Sequence, residues 1–214
     1  MGSEHGVPGA LLTTKPELQA LNDTAEAYGK YAAVHCHSKA GILLCAEVGI
    51  HTIEHASDID DECIERILSH GSHSAIIPTL GPIGLMRSGM LGESIAKKVR
   101  ETSCEQQKML EASRVGVLTG WGTDVSLTIT AVIPAANSCW ERTRLDGRGN
   151  AGAGDDNSAR IIGMDDDLGT IKAGKIADLV IVDGKPDEDI AVMTKYPWRI
   201  LQAGKVTCAE GVIG

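Results

Sequence analysis

Short apolar segments alternate with amphipathic segments along the first part of the chain, and this alternation constrains the fold more than any other feature. Four β-prone segments, at 31–36, 50–56, 74–80 and 115–124, are separated by stretches with apolar residues at helical spacing. This order predicts parallel strands joined by right-handed helical crossovers. We therefore predict an α/β fold for this part of the chain.

Helix boundaries follow from local signals. Pro16 suits a first helical turn, and Gly29 and Gly49 suit helix ends. The predicted helices cover 16–29, 38–48, 60–68 and roughly 93–114. A glycine-rich loop at 81–92 precedes the last helix and is predicted to be either a mobile lid or a plain connector.

Composition excludes several classes of partner. A formal net charge of −9 argues against nucleic acid and anionic membranes, which both require clustered Lys and Arg. No apolar run approaches the ~20 residues of a membrane span. The six cysteines form no CxxC pair and are predicted to be reduced thiols. Because the N-terminus also lacks the pattern of a secretory signal, we predict a cytoplasmic protein.

The pattern changes beyond Asp124. Residues 137–157 show no apolar period and are predicted to be loop or disorder. Order returns at Ser158, followed by short strands and a closing hairpin at 198–207. We predict one domain over 1–157 and a β-rich C-terminal segment over 158–214.

Ligand-type side chains close three of the predicted strands. His35, His55 and Asp124 each lie at the C-terminal end of an apolar segment. Because such ends converge on one face of a parallel sheet or barrel, these residues are predicted to share a site. Two imidazoles and a carboxylate suit Zn²⁺, and Asp124 would also be the catalytic proton carrier. The alternative is that the histidines are ordinary surface or core residues. His37, just past the first strand, is predicted to contact substrate.

These residues lie within motifs that resemble the metal-dependent amidohydrolase superfamily, in particular imidazolonepropionases and Xaa-Pro dipeptidase-like enzymes. The motifs are AVHCHS at 33–38, AGILLCAEVGIHTIEHAS at 40–57, IIPTL at 76–80, GVLTGWGTD at 116–124 and a long match at 159–190. They occur in the order typical of the family.

The resemblance implies a fold, a site and a reaction. The fold would be a partial (β/α)₈ TIM-type barrel, strands 5 to 8, followed by part of a small β-sandwich. His35 and His55 would bind metal from the fifth and sixth strands, and Asp124 would bind it from the eighth and shuttle the proton. Full-length relatives would hold one or two divalent ions, and the expected ion is Zn²⁺. The reaction would be attack of metal-activated water on an amide, cyclic amide or peptide-like C–N bond of a small-molecule substrate.

The chain also departs from the family pattern. The HxH of the first strand and the lysine of the fourth have no counterpart, so the chain is expected to begin half-way through the barrel. Residues 126–157 match neither expected helix, which fits either a reading-frame slip or a true insert. Two alternatives therefore remain: a truncated non-catalytic remnant, and a lactone or ester hydrolase. We expect weak metal binding, little turnover from residues 1–214 alone, and self-association into a homo-oligomer through an open barrel edge.

Overall fold

The fold consists of two compact units, one over residues 1–124 and one over residues 125–214. The computed structural model describes residues 10–69, 74–78, 93, 97, 106–120, 122, 150–186, 188, 192, 195, 197–209 and 212–213. Each unit contains a sheet of its own, parallel in the first and antiparallel in the second.

Helices and strands alternate in the first unit. They are α1 (Lys15–Ala27), β1 (Ala33–Cys36), α2 (Lys39–Val48), β2 (Thr52–His55), α3 (Asp61–Ser69), β3 (Ala75–Ile77) and α4 (Gln106–Arg114). These elements confirm the predicted helices and strands between residues 16 and 77. Of the long helix predicted over 93–114, the last turns are described as α4, and the glycine-rich segment 81–92 lies outside the described residues.

The sheet of the first unit is parallel, in the order β1-β2-β3. His35 is in register with Glu54, and Cys36 with His55. The predicted fourth strand continues the sheet, since Ile76 forms a parallel bridge with Thr119. The Ile76 N–H donates to the Leu118 carbonyl at 2.9 Å, and the Gly120 N–H donates to the Ile76 carbonyl at 2.9 Å. The predicted α/β class is therefore confirmed for this unit.

Local capping explains why α2 begins directly after the HCHS motif. The Ser38 hydroxyl accepts a hydrogen bond from the Gly41 N–H at 3.3 Å, as expected for an N-cap. The helix ends at Gly49, whose φ of 84° is left-handed and suits glycine. The first signal fixes the short connection between β1 and α2, and the second fixes the end of α2 before β2.

The core of the first unit is aliphatic. Five isoleucines and two cysteines are at most 2% exposed: Ile42, Ile50, Ile53, Ile59, Ile76, Cys45 and Cys63. The cysteines at 36, 45 and 63 are buried and form no disulfide, as predicted. Burial raises the pKa of the Cys63 thiol to about 12, so the thiol is neutral at pH 7. In the described part of the chain, no helix has the length and apolar character needed to cross a bilayer.

The described residues of the second unit form one α-helix and an antiparallel sheet. Its elements are α5 (Asn150–Ile161), β4 (Leu179–Ile181), β5 (Arg199–Gln202), β6 (Lys205–Ala209) and β7 (Val212–Ile213). The strands pair in the order β4-β5-β6-β7. The hairpin predicted at 198–207 is confirmed as β5 and β6, which pair antiparallel.

Helix α5 corrects one prediction. Residues 150–157 were expected to be loop or disorder but form the first part of this helix, and residues 137–149 lie outside the described residues. An ion pair with helical spacing stabilises it, since Arg160 lies 2.6 Å from Asp156. Ala159 and Ile161 are each 3% exposed, which anchors its C-terminal half. The predicted boundary at 157/158 falls inside α5, whereas the two units divide at 124/125.

The turn between β5 and β6 offers a stabilising substitution. Ala203 and Gly204 both have positive φ, 47° and 76°, as in a two-residue type I′ turn. An ordinary L-residue loses about 1–2 kcal/mol in this conformation, and asparagine tolerates it better. We expect Ala203→Asn to raise the free energy of unfolding by about 0.5–1 kcal/mol. Urea denaturation measures the change, and an equal or lower stability would contradict the turn assignment.

Candidate metal centre

Three imidazoles meet at the C-terminal ends of β1 and β2. His35 and His55 belong to these strands, and His37 follows β1 directly. One ring nitrogen from each residue lies within 4.8 Å of the others. His55 Nε2 is 2.7 Å from His35 Nδ1, which makes a hydrogen bond between the two rings. The structure thus brings together the two histidines predicted to be metal ligands and adds His37 to them.

The backbone at the end of β2 is responsible for this convergence. Residues in register in parallel strands point to the same face, so Cys36 and His55 would share one face and His35 and Glu54 the other. Regular pleating would therefore turn His55 away from His35. Instead, His55 and Ala56 have left-handed φ values of 74° and 46°. Such strain in residues other than glycine costs about 1–3 kcal/mol each and is concentrated at functional sites.

Backbone hydrogen bonds join the two loops that follow these strands. The Ala56 N–H donates to the Cys36 carbonyl at 3.0 Å. The Asp58 N–H donates to the His37 carbonyl at 2.9 Å. Together these bonds extend the strand pairing past the last regular residues, so that the loops carrying the imidazoles are held at a fixed spacing.

Lys39 adds an electrostatic link between the start of α2 and the start of α3, the helices that follow these two loops. Its Nζ lies 2.5 Å from Asp60 Oδ2 and 2.8 Å from Glu62 Oε2. Hydrogen bonds to Asp60 and then Glu62 raise the Lys39 pKa, so the ammonium stays charged at neutral pH. Because all three side chains are at least 40% exposed, the contribution of these pairs to stability is small.

Burial differs among the three imidazoles. His55 is 5% exposed, His37 is half-buried and His35 is exposed. Burial, and then the neighbouring His55 and His35, lower the pKa of His37 to about 3. The His37 ring is therefore neutral at pH 7, which is the form that binds metal. The exposed His35 leaves the cluster accessible from solvent.

The donor set fits a divalent ion of the zinc type. Three imidazole nitrogens can occupy three tetrahedral positions and leave a fourth for water. Zinc–nitrogen bonds of about 2.0–2.1 Å place adjacent ligand atoms about 3.3 Å apart. The 2.7 Å between His55 Nε2 and His35 Nδ1 must therefore widen by about 0.6 Å. With the ring nitrogens of all three residues within 4.8 Å of one another, the cluster could hold a metal.

Three further residues bear on the site: the predicted ligand Asp124, the histidine His51, and Ser57, which was not identified from the sequence. Asp124, expected to bind metal and carry the proton, lies outside the described residues. His51 stacks on Tyr31 at 4.2 Å, beside the N-terminal end of β2 and away from the cluster end. Ser57 was missed from sequence, although its Oγ lies 2.8 Å from His37 Nδ1. A signal was available, because His37 follows His35 and Ser57 follows His55 at the same spacing of two residues.

Several known proteins resemble this chain. Ochratoxinase from Aspergillus niger is 25% identical over 207 residues, a match that covers 92% of this chain and 42% of ochratoxinase. The crystal structure of a prolidase complexed with N-methylphosphonate-L-proline is 25% identical with a TM-score of 0.76, covering 92% of this chain and 50% of that one. An amidohydrolase crystal structure is 26% identical with a TM-score of 0.76, covering 92% and 49%.

These matches agree in the share of each relative that the chain covers and in the protein family to which they point. The chain spans about half the length of the relatives it matches. Amidohydrolases of this group are TIM-barrel proteins, and this chain contains a parallel sheet in one unit and a small antiparallel sheet in the other. The sequence matches the Amidohydrolase family over residues 2–201. With a histidine cluster at the carboxyl ends of its parallel strands and a family match over nearly its whole length, the chain belongs to the amidohydrolase family.

Proposed function

We propose that this chain forms part of a metal-dependent hydrolase that cleaves an amide, cyclic amide or peptide-like C–N bond. The observation that carries the proposal is the cluster of His35, His37 and His55 at the C-terminal ends of parallel strands. Membership of the amidohydrolase family supports the bond type. The parallel strands would be strands 5 to 8 of a TIM-type barrel, and the antiparallel sheet would be part of the β-sandwich.

Each residue has a role in this proposal. His35 and His55 hold the metal, which when bound lowers the pKa of a water molecule to about 7. Asp124 accepts a proton from the attacking water and donates it to the leaving nitrogen. Its assignment rests on its place at the end of the β-prone segment predicted from sequence at 115–124. His35, exposed at the rim, leaves room for a small-molecule substrate.

Two alternatives compete with this proposal. One is a non-catalytic remnant, in which the histidine cluster binds a metal weakly or not at all. A lactone or ester hydrolase needs the same metal-activated water and proton carrier, so the described residues fit it equally. Substrate selectivity separates this second alternative from amide hydrolysis.

Turnover by the zinc-loaded chain tests the proposal. We expect slow hydrolysis of amide substrates, with Xaa-Pro dipeptides and cyclic amides assayed beside lactones and aryl esters. Removing zinc with a chelator should abolish it. Asp124→Asn should lower kcat by about 10²–10⁴-fold, because the proton carrier is lost. Liquid chromatography of the products measures both effects.

The outcomes separate the three functions. Zinc-dependent amide cleavage that disappears in Asp124→Asn supports the proposal. Cleavage restricted to lactones or esters supports the second alternative. No zinc-dependent turnover above the Asp124→Asn background would support the remnant. Sedimentation velocity of the same samples tests the predicted self-association.

A further inference from the structure

The hydroxyl of Ser57 contacts an imidazole of the metal cluster. Its Oγ lies 2.8 Å from His37 Nδ1. Ser57 is 8% exposed, so water competes poorly for this hydrogen bond. The contact leaves Nε2 as the ring nitrogen through which His37 can bind a metal.

Two neighbouring rings restrict the orientation of the His37 imidazole. It stacks on His55 with a centroid distance of 4.4 Å and an interplanar angle of 16°. It meets His35 edge-on at 4.6 Å and 82°. A flip of the ring by 180° would keep both packing contacts but would move Nδ1 away from Ser57. The hydrogen bond to Ser57 therefore favours one of the two flipped orientations of the His37 ring, whereas the packing against His35 and His55 fits both.

The backbone places Ser57 opposite His37. The residues on either side of it, Ala56 and Asp58, donate hydrogen bonds to the carbonyls of Cys36 and His37 at 3.0 and 2.9 Å. Ser57 is thus held between two cross-strand bonds and does not depend on a mobile loop. Its hydroxyl is preorganised before any metal arrives.

We propose that Ser57 is a positioning residue that holds His37 as the third metal ligand. The His37 Nδ1–H donates to Ser57 Oγ, which leaves Nε2 unprotonated and able to bind a metal. The opposite polarity, with the hydroxyl donating to Nδ1, would protonate Nε2 and exclude it from metal binding. The inference rests on the proposed function, because it assigns a ligand of the same metal site. Hydrogen-bond partners of this kind change metal affinity by about 10–100-fold.

The experiment uses two independent measurements on the full chain. Long-range ¹H–¹⁵N correlation on metal-free protein with ¹⁵N-labelled histidine identifies the protonated nitrogen of His37, with assignment from His37→Gln. Zinc affinity is measured by competition with a chromophoric chelator. The variants are Ser57→Ala, Ser57→Thr, which keeps the hydroxyl, and Ser74→Ala. Ser74 is the matched control. It is a buried serine that directly precedes β3, and its hydroxyl donates to the Ile50 carbonyl.

We expect the Nδ1–H tautomer in the unmodified chain and a mixture in Ser57→Ala. Zinc affinity should fall about 10–100-fold in Ser57→Ala, recover in Ser57→Thr and stay unchanged in Ser74→Ala. An Nε2–H tautomer in the unmodified chain would overturn the proposal, as would an unchanged tautomer and affinity in Ser57→Ala. Failure of the unmodified chain to bind zinc would refute the metal site itself, whereas the tautomer measurement would still decide the role of Ser57.

Discussion

Replacing either His35 or His55 by glutamine should lower zinc affinity by more than about 100-fold. Loss of a supporting hydrogen bond to a ligand already costs about 10–100-fold, and loss of the ligand itself costs more. The two residues supply nitrogens 2.7 Å apart, so removing either one takes a ligand atom out of the cluster. Isothermal titration, or competition with a chelator, measures the affinity.

His51→Gln is the matched control for this prediction. His51 precedes the same strand, β2, and stacks on Tyr31 rather than on the cluster. We expect zinc affinity to be unchanged in this variant, with circular dichroism confirming that all three proteins fold. Equal affinity in the unmodified chain, His35→Gln and His55→Gln would show that zinc binds elsewhere.

Truncating Ile53 to alanine should cost about 2–5 kcal/mol in the free energy of unfolding, because it leaves a cavity in a closed core. Ile53 is 0% exposed and lies in β2, between β1 and β3 and two residues before His55. The milder Ile53→Val should cost about 0.5–1.5 kcal/mol. Urea denaturation followed by circular dichroism measures both changes.

An exposed aliphatic residue supplies the comparison. Leu12 is 98% exposed, and Leu12→Ala should change stability by less than about 0.5 kcal/mol. If Ile53→Ala were as mild as Leu12→Ala, the parallel sheet would not be the core of the first unit. A large effect would also show that β2, the strand that carries His55, belongs to the stable core of that unit.

The order of elements in the first unit was predictable because local and long-range signals agree there. Ser38 and Gly49 mark the ends of α2, and the apolar residues between them have helical spacing. The neighbouring strands are short and apolar, as buried parallel strands are. The convergence of His35 and His55 followed from the same pattern, because parallel strands present their carboxyl ends on one side.

The details of the site were beyond sequence reasoning. Strict alternation along β2 predicts that His55 faces away from His35, and no glycine marks the left-handed turn at 55–56. The bond between Ser57 and His37 depends on that same turn. Tertiary contacts, here the cross-strand hydrogen bonds of Ala56 and Asp58, impose a backbone conformation that local preference disfavours.

Helix α5 was missed for a different reason. Its first residues, NAGAGDDN, are poor in aliphatic side chains, so no apolar period indicates a helix. Among its described residues, the stabilising features include an ion pair between Asp156 and Arg160 and the burial of Ala159 and Ile161. Such contacts are specific to the folded chain and have only a weak signal in composition.

The left-handed pair at His55 and Ala56 has a consequence for anyone who wishes to transplant this site. Copying the histidines onto another parallel sheet would give two rings on opposite faces, because regular pleating separates positions that are one register step apart. A successful graft would have to reproduce the bent end of the strand as well, with its φ values of 74° and 46°. The feature to transfer is therefore the left-handed backbone at the end of β2 together with its histidines. Designers would select scaffolds that have this backbone conformation before choosing any side chain.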